Sequence, residues 1–238
     1  MEAVKNKGVD THAHVFSAHA PAVPGARYRP AYASEASAWR SQWAGAGITH
    51  GVVVQPSFFG ADNRELLDTI ASDSTNLRGV RDYAEYASRS WRALYSRIHE
   101  LGWHVECFID TGRLRDIAGA FDGTPVAVAF DHFGAPGRDD ASVKSTFAAV
   151  ASMSRDREVW CKCSAPYRLE GDGAKDHAKR WLDAVGPARL VWGSDWPCTG
   201  FESEQDYAKL RATLDEWADA ALARAVLWDN AARLYGFE

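Results

Sequence analysis

Two histidines one residue apart mark the first reactive stretch of the chain, Val9-Asp10-Thr11-His12-Ala13-His14-Val15. In an extended strand, side chains at i and i+2 share a face. Both imidazoles can therefore meet at one metal ion or one carbonyl oxygen. Alone, such a pair could arise by chance. Two further places answer it: Phe130-Asp131-His132-Phe133-Gly134 and Trp192-Gly193-Ser194-Asp195-Trp196-Pro197 each put an ionisable residue where an apolar run gives way to a turn. Burying a carboxylate or imidazole there is costly unless a partner replaces its lost hydration, so three such places point to mutual partnership. A turn or N-cap role for Asp195 and a satisfied core histidine at 132 explain each residue singly, but not the set.

The elements that must position these groups follow a βαβα rhythm. Apolar runs of strand length fall at 9–15, 50–57, 77–83, 103–110, 125–134, 158–164 and 190–198. Between them, 34–46, 63–73, 88–101, 113–121, 142–154 and 175–185 return apolar residues at helical spacing, and 202–217 and 220–234 read as two closing helices. The strand runs are mostly continuous instead of alternating, as expected for parallel strands covered by helices. No Gly-rich phosphate loop follows the first run, which argues against a nucleotide-binding open sheet. The polar residues gather toward the C-terminal ends of separate strands, and a barrel brings those ends to one mouth. Residues 74–102 leave 29 positions before the fourth strand, room for one strand-plus-helix repeat of roughly 25–30 residues. The expectation is an α/β fold: a distorted TIM-like (β/α) barrel of seven strands, with one βα unit missing in the middle and residues 1–238 forming one domain.

Composition narrows the function classes. The 238 residues are 46% hydrophobic and 25% charged, which excludes a disordered or low-complexity chain. The net charge of -5 comes with dispersed Lys and Arg, arguing against nucleic acid as a main partner. No run nears the ~20 apolar residues of a membrane span, and the first residues lack the apolar stretch of a secretory signal. A cytoplasmic protein is expected. Cys107, Cys161, Cys163 and Cys198 fit neither a disulfide framework nor a zinc-finger spacing, and read as small buried thiols.

The segments DTHAHVF, VVVQPSFFGADNRELLD, GWHVECFID, FDHFGAPG, VWCKCSAPYRL, LVWGSDWPCT and LWDNAARLYGF, in that order, resemble the amidohydrolase superfamily. Within it the similarity is to the branch of the 2-pyrone-4,6-dicarboxylate, muconolactone and sugar lactonases. The resemblance implies a hydrolase that opens a lactone ring to a hydroxy acid. His12, His14, His132 and Asp195 would form the reaction centre. Asp195 would be the general base on the attacking water, and the histidines, with or without a divalent ion, would polarise the ring carbonyl. Independently of the family, lactone hydrolysis needs an electrophile at the carbonyl oxygen and a base for water, and both are present.

The same resemblance leaves the metal open. His12, His14, His132 and Asp195 could make a zinc set. Glu106 takes the inward-facing position of a strand where many amidohydrolases carry a histidine, so it could complete that set, bind substrate, or be a buried acid paired with an arginine. Tyr167 and Arg168 resemble a carboxylate-binding pair. Gln55, Ser57 and Asn63 resemble a loop that contacts ring oxygens, Trp196 would line the pocket, and Arg81 could replace a substrate arginine lost with the missing repeat. Ala135 stands where dicarboxylate-specific members carry an arginine, which counts against a dicarboxylate substrate. The partner expected is a small-molecule lactone, with a homo-oligomer possible. Metal-dependent decarboxylation and a catalytically impaired barrel scaffold are the alternatives.

Overall fold

A computed structural model describes residues 7–20, 22–26, 28–60, 62–80, 89–109, 113–169 and 173–238. Among these, every apolar run expected to be extended contains a strand: β1 Val9–Ala13, β2 His50–Val54, β3 Leu77–Val80, β4 His104–Cys107, β5 Ala127–Phe130, β6 Val159–Cys163 and β7 Leu190–Trp192. The helices are α1 Ala36–Ser41, α2 Trp43–Ala46, α3 Arg64–Ser72, α4 Arg89–Glu100, α5 Leu114–Ala118, α6 Asp140–Met153, α7 Gly173–Val185, α8 Tyr207–Ala212, α9 Ala220–Arg224 and α10 Asn230–Tyr235. The described residues fall into two compact units, one up to residue 80 and from 192 onward, the other from 89 to 191.

In the first unit β1, β2 and β3 form a parallel sheet in that order, with Asp10 opposite Gly51 and Gly51 opposite Leu77. Val9, Val52, Val53 and Leu77 are fully buried, as continuous apolar strands require. A glycine at 51 makes room for a helix: a Cβ there would lie 2.2 Å from the Trp39 ring on α1. Residues 192–196 run beside β1, tied by the Thr11 hydroxyl donating to the Trp192 carbonyl at 2.8 Å and by a parallel bridge between Ala13 and Trp196. After β1 the chain makes an excursion that closes on itself, because Phe16 and Ser34 pair antiparallel. Phe16, Phe58 and Phe59 form an apolar cluster under that excursion. The Tyr28 and Tyr32 hydroxyls tie it to Glu202, and Ser17 ties it to Glu65.

In the second unit β4, β5, β6 and β7 form a parallel sheet in that order, with Val105 opposite Val128 and Val128 opposite Val159. Trp181 of α7 is buried and its indole donates to the Phe133 carbonyl at 2.8 Å, fixing the helix over the end of β5. Asp139 caps α6 by accepting from the Ala141 and Ser142 amides.

Element boundaries move where local chemistry overrides periodicity. β2 stops at Val54, just before Gln55-Pro56, since proline supplies no ladder donor. The helix read over 202–217 begins only at Tyr207, because Asp206 accepts from the Lys209 amide and sets the N-terminus there. β7 ends at Trp192, and the rest of its run is irregular apart from the single bridge at Trp196. All four cysteines are buried free thiols, with Cys161 and Cys163 sulfurs 4.0 Å apart.

Candidate active site

The first unit brings three of the expected residues together. His12 lies on β1, His14 just beyond its end and Asp195 just beyond the end of β7. Asp195 Oδ1 lies 3.5 Å from His12 Nε2 and 3.4 Å from His14 Nε2, and the two imidazoles meet edge to face with centroids 5.0 Å apart. His12 and Asp195 are buried, while His14 retains a partial opening to solvent.

Backbone geometry explains the proximity. The Asp195 amide donates to the His12 carbonyl at 2.8 Å and the His14 amide to the Trp196 carbonyl at 2.6 Å. Gly193 permits this approach, since a Cβ there would come within 2.6 Å of His12 Cβ. Asp195 itself adopts φ 64°, a left-handed conformation unusual for a side chain other than glycine.

The His14 tautomer is set from behind. Its Nδ1 lies 2.9 Å from the Val54 carbonyl, an acceptor only, so Nδ1 carries the proton and donates. Nε2 of the neutral ring then presents a lone pair toward a carboxylate oxygen. Two electron-rich atoms at 3.4 Å call for an electrophile between them, a proton or a metal ion. The chemistry of the donor set thus fits zinc, which accepts imidazole nitrogen and carboxylate oxygen alike.

Asp10, one alternation before His12, is fully buried and collects hydrogen bonds. Oδ1 accepts from the Ser194 amide at 2.8 Å and the His12 amide at 3.3 Å. Oδ2 accepts from the Ser194 hydroxyl at 2.6 Å, Trp39 Nε1 at 2.8 Å and the Tyr207 hydroxyl at 3.0 Å. Burial pushes its carboxyl upward, and the donors on Ser194, Trp39 and His12 oppose that push.

In the second unit His132 lies two residues past the end of β5, in a left-handed run with φ of 51° at His132, 56° at Phe133, 72° at Gly134 and 40° at Ala135. Its amide donates to Ser164 Oγ at 3.2 Å, and the same hydroxyl lies 2.9 Å from its ring Nδ1. Phe108 meets the ring edge to face. Beside it, Lys162 on β6 is completely buried, bonded to Glu106 Oε2 and 3.3 Å from Asp131 Oδ1. Glu106 Oε1 also faces His104 Nε2 at 3.2 Å. Burial works against the ionised form of Glu106, yet Lys162 and His104 outweigh it and hold the carboxyl well below the usual range. Burial raises Asp131 against the pull of Lys162. Glu106 is therefore engaged as the acid of a buried ion pair, with a lysine where an arginine was expected.

The remaining candidates are placed as follows. Gln55, just after β2, is buried; its amide donates to the Gly60 carbonyl at 2.6 Å, while Oε1 has no hydrogen-bond partner among the described residues. Asn63 precedes α3 with Oδ1 likewise buried and unbonded, and Ser57 is exposed. Tyr167 and Arg168 lie on the single turn after β6, the guanidinium 5.2 Å from the centre of the tyrosine ring. Trp196 borders a cavity of about 240 Å³ shared with Tyr32, Ser34, Glu202 and Tyr207. Arg81 lies outside the described residues.

Asp10, Lys162, Ser164 and Ser194 were not singled out by the sequence. Lys162 had a signal: with Cys161 and Cys163 sharing one face of an apolar strand, a lysine between them must occupy the opposite face.

Known proteins supply the context. The amidohydrolase family model matches residues 77–237. The 2-pyrone-4,6-dicarboxylate hydrolase of Comamonas testosteroni is 28% identical over 274 residues, covering 95% of this chain and 89% of that one. The 4-sulfomuconolactone hydrolase of Rhizobium radiobacter is 27% identical over 95% of this chain and 89% of its own. The structure of a probable 2-pyrone-4,6-dicarboxylic acid hydrolase from Acinetobacter baumannii, with citric acid bound, superposes with a TM-score of 0.86 at 25% identity over 97% of this chain and 99% of that one. The parallel α/β fold expected from the strand rhythm is thus that of the amidohydrolase (β/α) barrels. With a family model matching well over half of its residues, the chain belongs to the amidohydrolase family.

Proposed function

We propose that this enzyme opens the lactone ring of a small organic or sugar acid, with His132 joining His12, His14 and Asp195 in one catalytic domain spanning 1–238. The observation that carries the reading is the Asp195 carboxylate facing the Nε2 atoms of both His12 and His14, one of them with its tautomer set by Val54. Relatives named as hydrolases of two different lactones support the reaction class.

In this reading the ring carbonyl oxygen sits against the imidazoles, which stabilise the charge that develops on it. Asp195 takes a proton from water as the water oxygen bonds to the carbonyl carbon. The ring C–O bond then breaks, and the departing oxygen takes the proton from Asp195, leaving a hydroxy acid. His12, His14 and Asp195 offer nitrogen and oxygen donors that would hold zinc, and His132 is assigned as a further ligand in this reading. A bound zinc ion would supply Lewis-acid polarisation of the same carbonyl.

Tyr167 and Arg168 are assigned to a substrate carboxylate, since a guanidinium fork suits a planar anion. Gln55 Oε1 and Trp196 Nε1, both buried without a hydrogen-bond partner among the described residues, are assigned to substrate hydroxyls and ring oxygens. Ser57, Asn63 and Arg81 complete the substrate set. Among the described residues no helix is long and apolar enough to cross a membrane, and the dispersed basic residues favour a small-molecule partner over nucleic acid. A cytoplasmic location and assembly of identical copies are part of the proposal.

A panel of aldono-, mucono- and pyrone lactones, scored by acid release, tests the reading. Asp195→Asn should lose roughly 10²–10⁴-fold in kcat, the range of a general base; full activity in that variant would remove the assignment. Zn²⁺ should raise the melting temperature of the wild type but not of a His12→Ala, His14→Ala double variant.

A further inference from the structure

We propose that Asp10, acting through Ser194, is the positioning residue that holds the Asp195 carboxylate in reach of His12 and His14. The reaction assigns no step to Asp10, yet this carboxylate is fully buried. Among the described residues no cation pairs with it; its partners are neutral donors. Three of them, the His12 and Ser194 amides and the Trp39 indole, are N–H groups that can only donate, so the carboxyl oxygens act as their acceptors and their direction is fixed.

The arrangement of those donors carries the inference. Asp10 accepts from the amide of His12 with Oδ1 and from both the amide and the hydroxyl of Ser194, the residue immediately before Asp195. One side chain thereby grips the two backbone segments that carry the reacting groups. The Ser194 hydroxyl passes the grip onward, since it also accepts from the Trp196 amide at 3.0 Å. Asp195 is thus bracketed on both sides while its own amide bonds to the His12 carbonyl. A left-handed backbone at a residue other than glycine persists only where its surroundings over-determine it, and this bracket does so. Trp39 and Tyr207 finish the solvation of Oδ2 from α1 and α8, away from the 194–196 turn.

The proposal rests on the lactonase reading for its kinetic readout alone. Ser194→Ala removes the hydroxyl link between Asp10 and the Trp196 amide. Trp39→Phe removes another donor, at 2.8 Å, from the same carboxylate oxygen without touching the turn. For a lactone opened by the wild type, Ser194→Ala should lower kcat about 100-fold, the effect of an ångström-scale misplacement, with KM changed less than about threefold. Trp39→Phe should lose at least as much thermal stability and keep kcat within about threefold. A crystal structure of Ser194→Ala should show Asp195 Oδ1 moved away from one or both Nε2 atoms.

Unchanged kcat in Ser194→Ala, or kcat falling in both variants in proportion to melting temperature, overturns the proposal and leaves Asp10 a staple of the fold. If the wild type opens no lactone, the functional reading fails by itself, and the crystal structure decides: Asp195 undisplaced refutes the positioning role, Asp195 displaced upholds it. Should Ser194→Ala not fold, Ser194→Cys, with similar volume and a weaker donor, takes its place with the same expected split.

Discussion

Both compact units bury a carboxylate next to a histidine assigned to the reaction, and they neutralise it in opposite ways. Asp10 in the first unit is solvated by five neutral donor contacts from His12, Ser194, Trp39 and Tyr207. Asp131 in the second shares the buried Lys162 ammonium with Glu106. The first solution spreads the compensation over several modest bonds to different segments, so it fixes geometry in several directions. The second concentrates it in one cation, whose removal leaves two charges stranded.

That contrast predicts a steep difference in mutational cost. Lys162→Met should destabilise the protein by about 3–5 kcal/mol in urea unfolding, because the loss strands buried charge. Trp39→Phe should cost about 1.5–3 kcal/mol, the range for one hydrogen bond to an ionised group. Tyr207→Phe should cost only about 1 kcal/mol, since its bond, at 3.0 Å, is the longest of the three on the same oxygen. If Lys162→Met proved as mild as Tyr207→Phe, the concentrated charge scheme would be wrong.

A finer test uses pH. Glu106 titrates below its ordinary range in the folded protein, so its ion pair stabilises above the unfolded pKa of about 4.3. That contribution is lost as pH falls from there through the depressed folded value. The stability gap between wild type and Glu106→Gln should therefore be constant near neutrality and shrink in acid. Asp131 runs the other way: its raised value makes its ionised form a liability, so Asp131→Asn should be least costly at high pH. A gap that widened in acid for Glu106→Gln would reverse the assignment of the two carboxylates.

The same contrast shows what the sequence could disclose. The meeting of His12, His14 and Asp195 was legible because the two histidines share one face of a strand and Asp195 sits where an apolar run gives way to a turn, and a one-dimensional pattern records both. The seven strands were legible for the same reason. The supports were not: Asp10 meets Ser194 across 184 positions, and no periodicity encodes that pairing. Lys162 looked like an irregularity in an apolar strand until Glu106 and Asp131 were seen around it. The start of α8 was misread because 202–206, Glu-Ser-Glu-Gln-Asp, were joined to the periodic stretch although they carry no apolar residue, whereas Asp206 decides the boundary through a single amide.

The excursion after β1 leaves and returns at the Phe16–Ser34 bridge. Its length is thus not registered by the strand that carries the histidines. A segment of different size between those two residues would leave the strand pairing that carries His12 and His14 in register, so the excursion is an insertion point the catalytic strand does not feel.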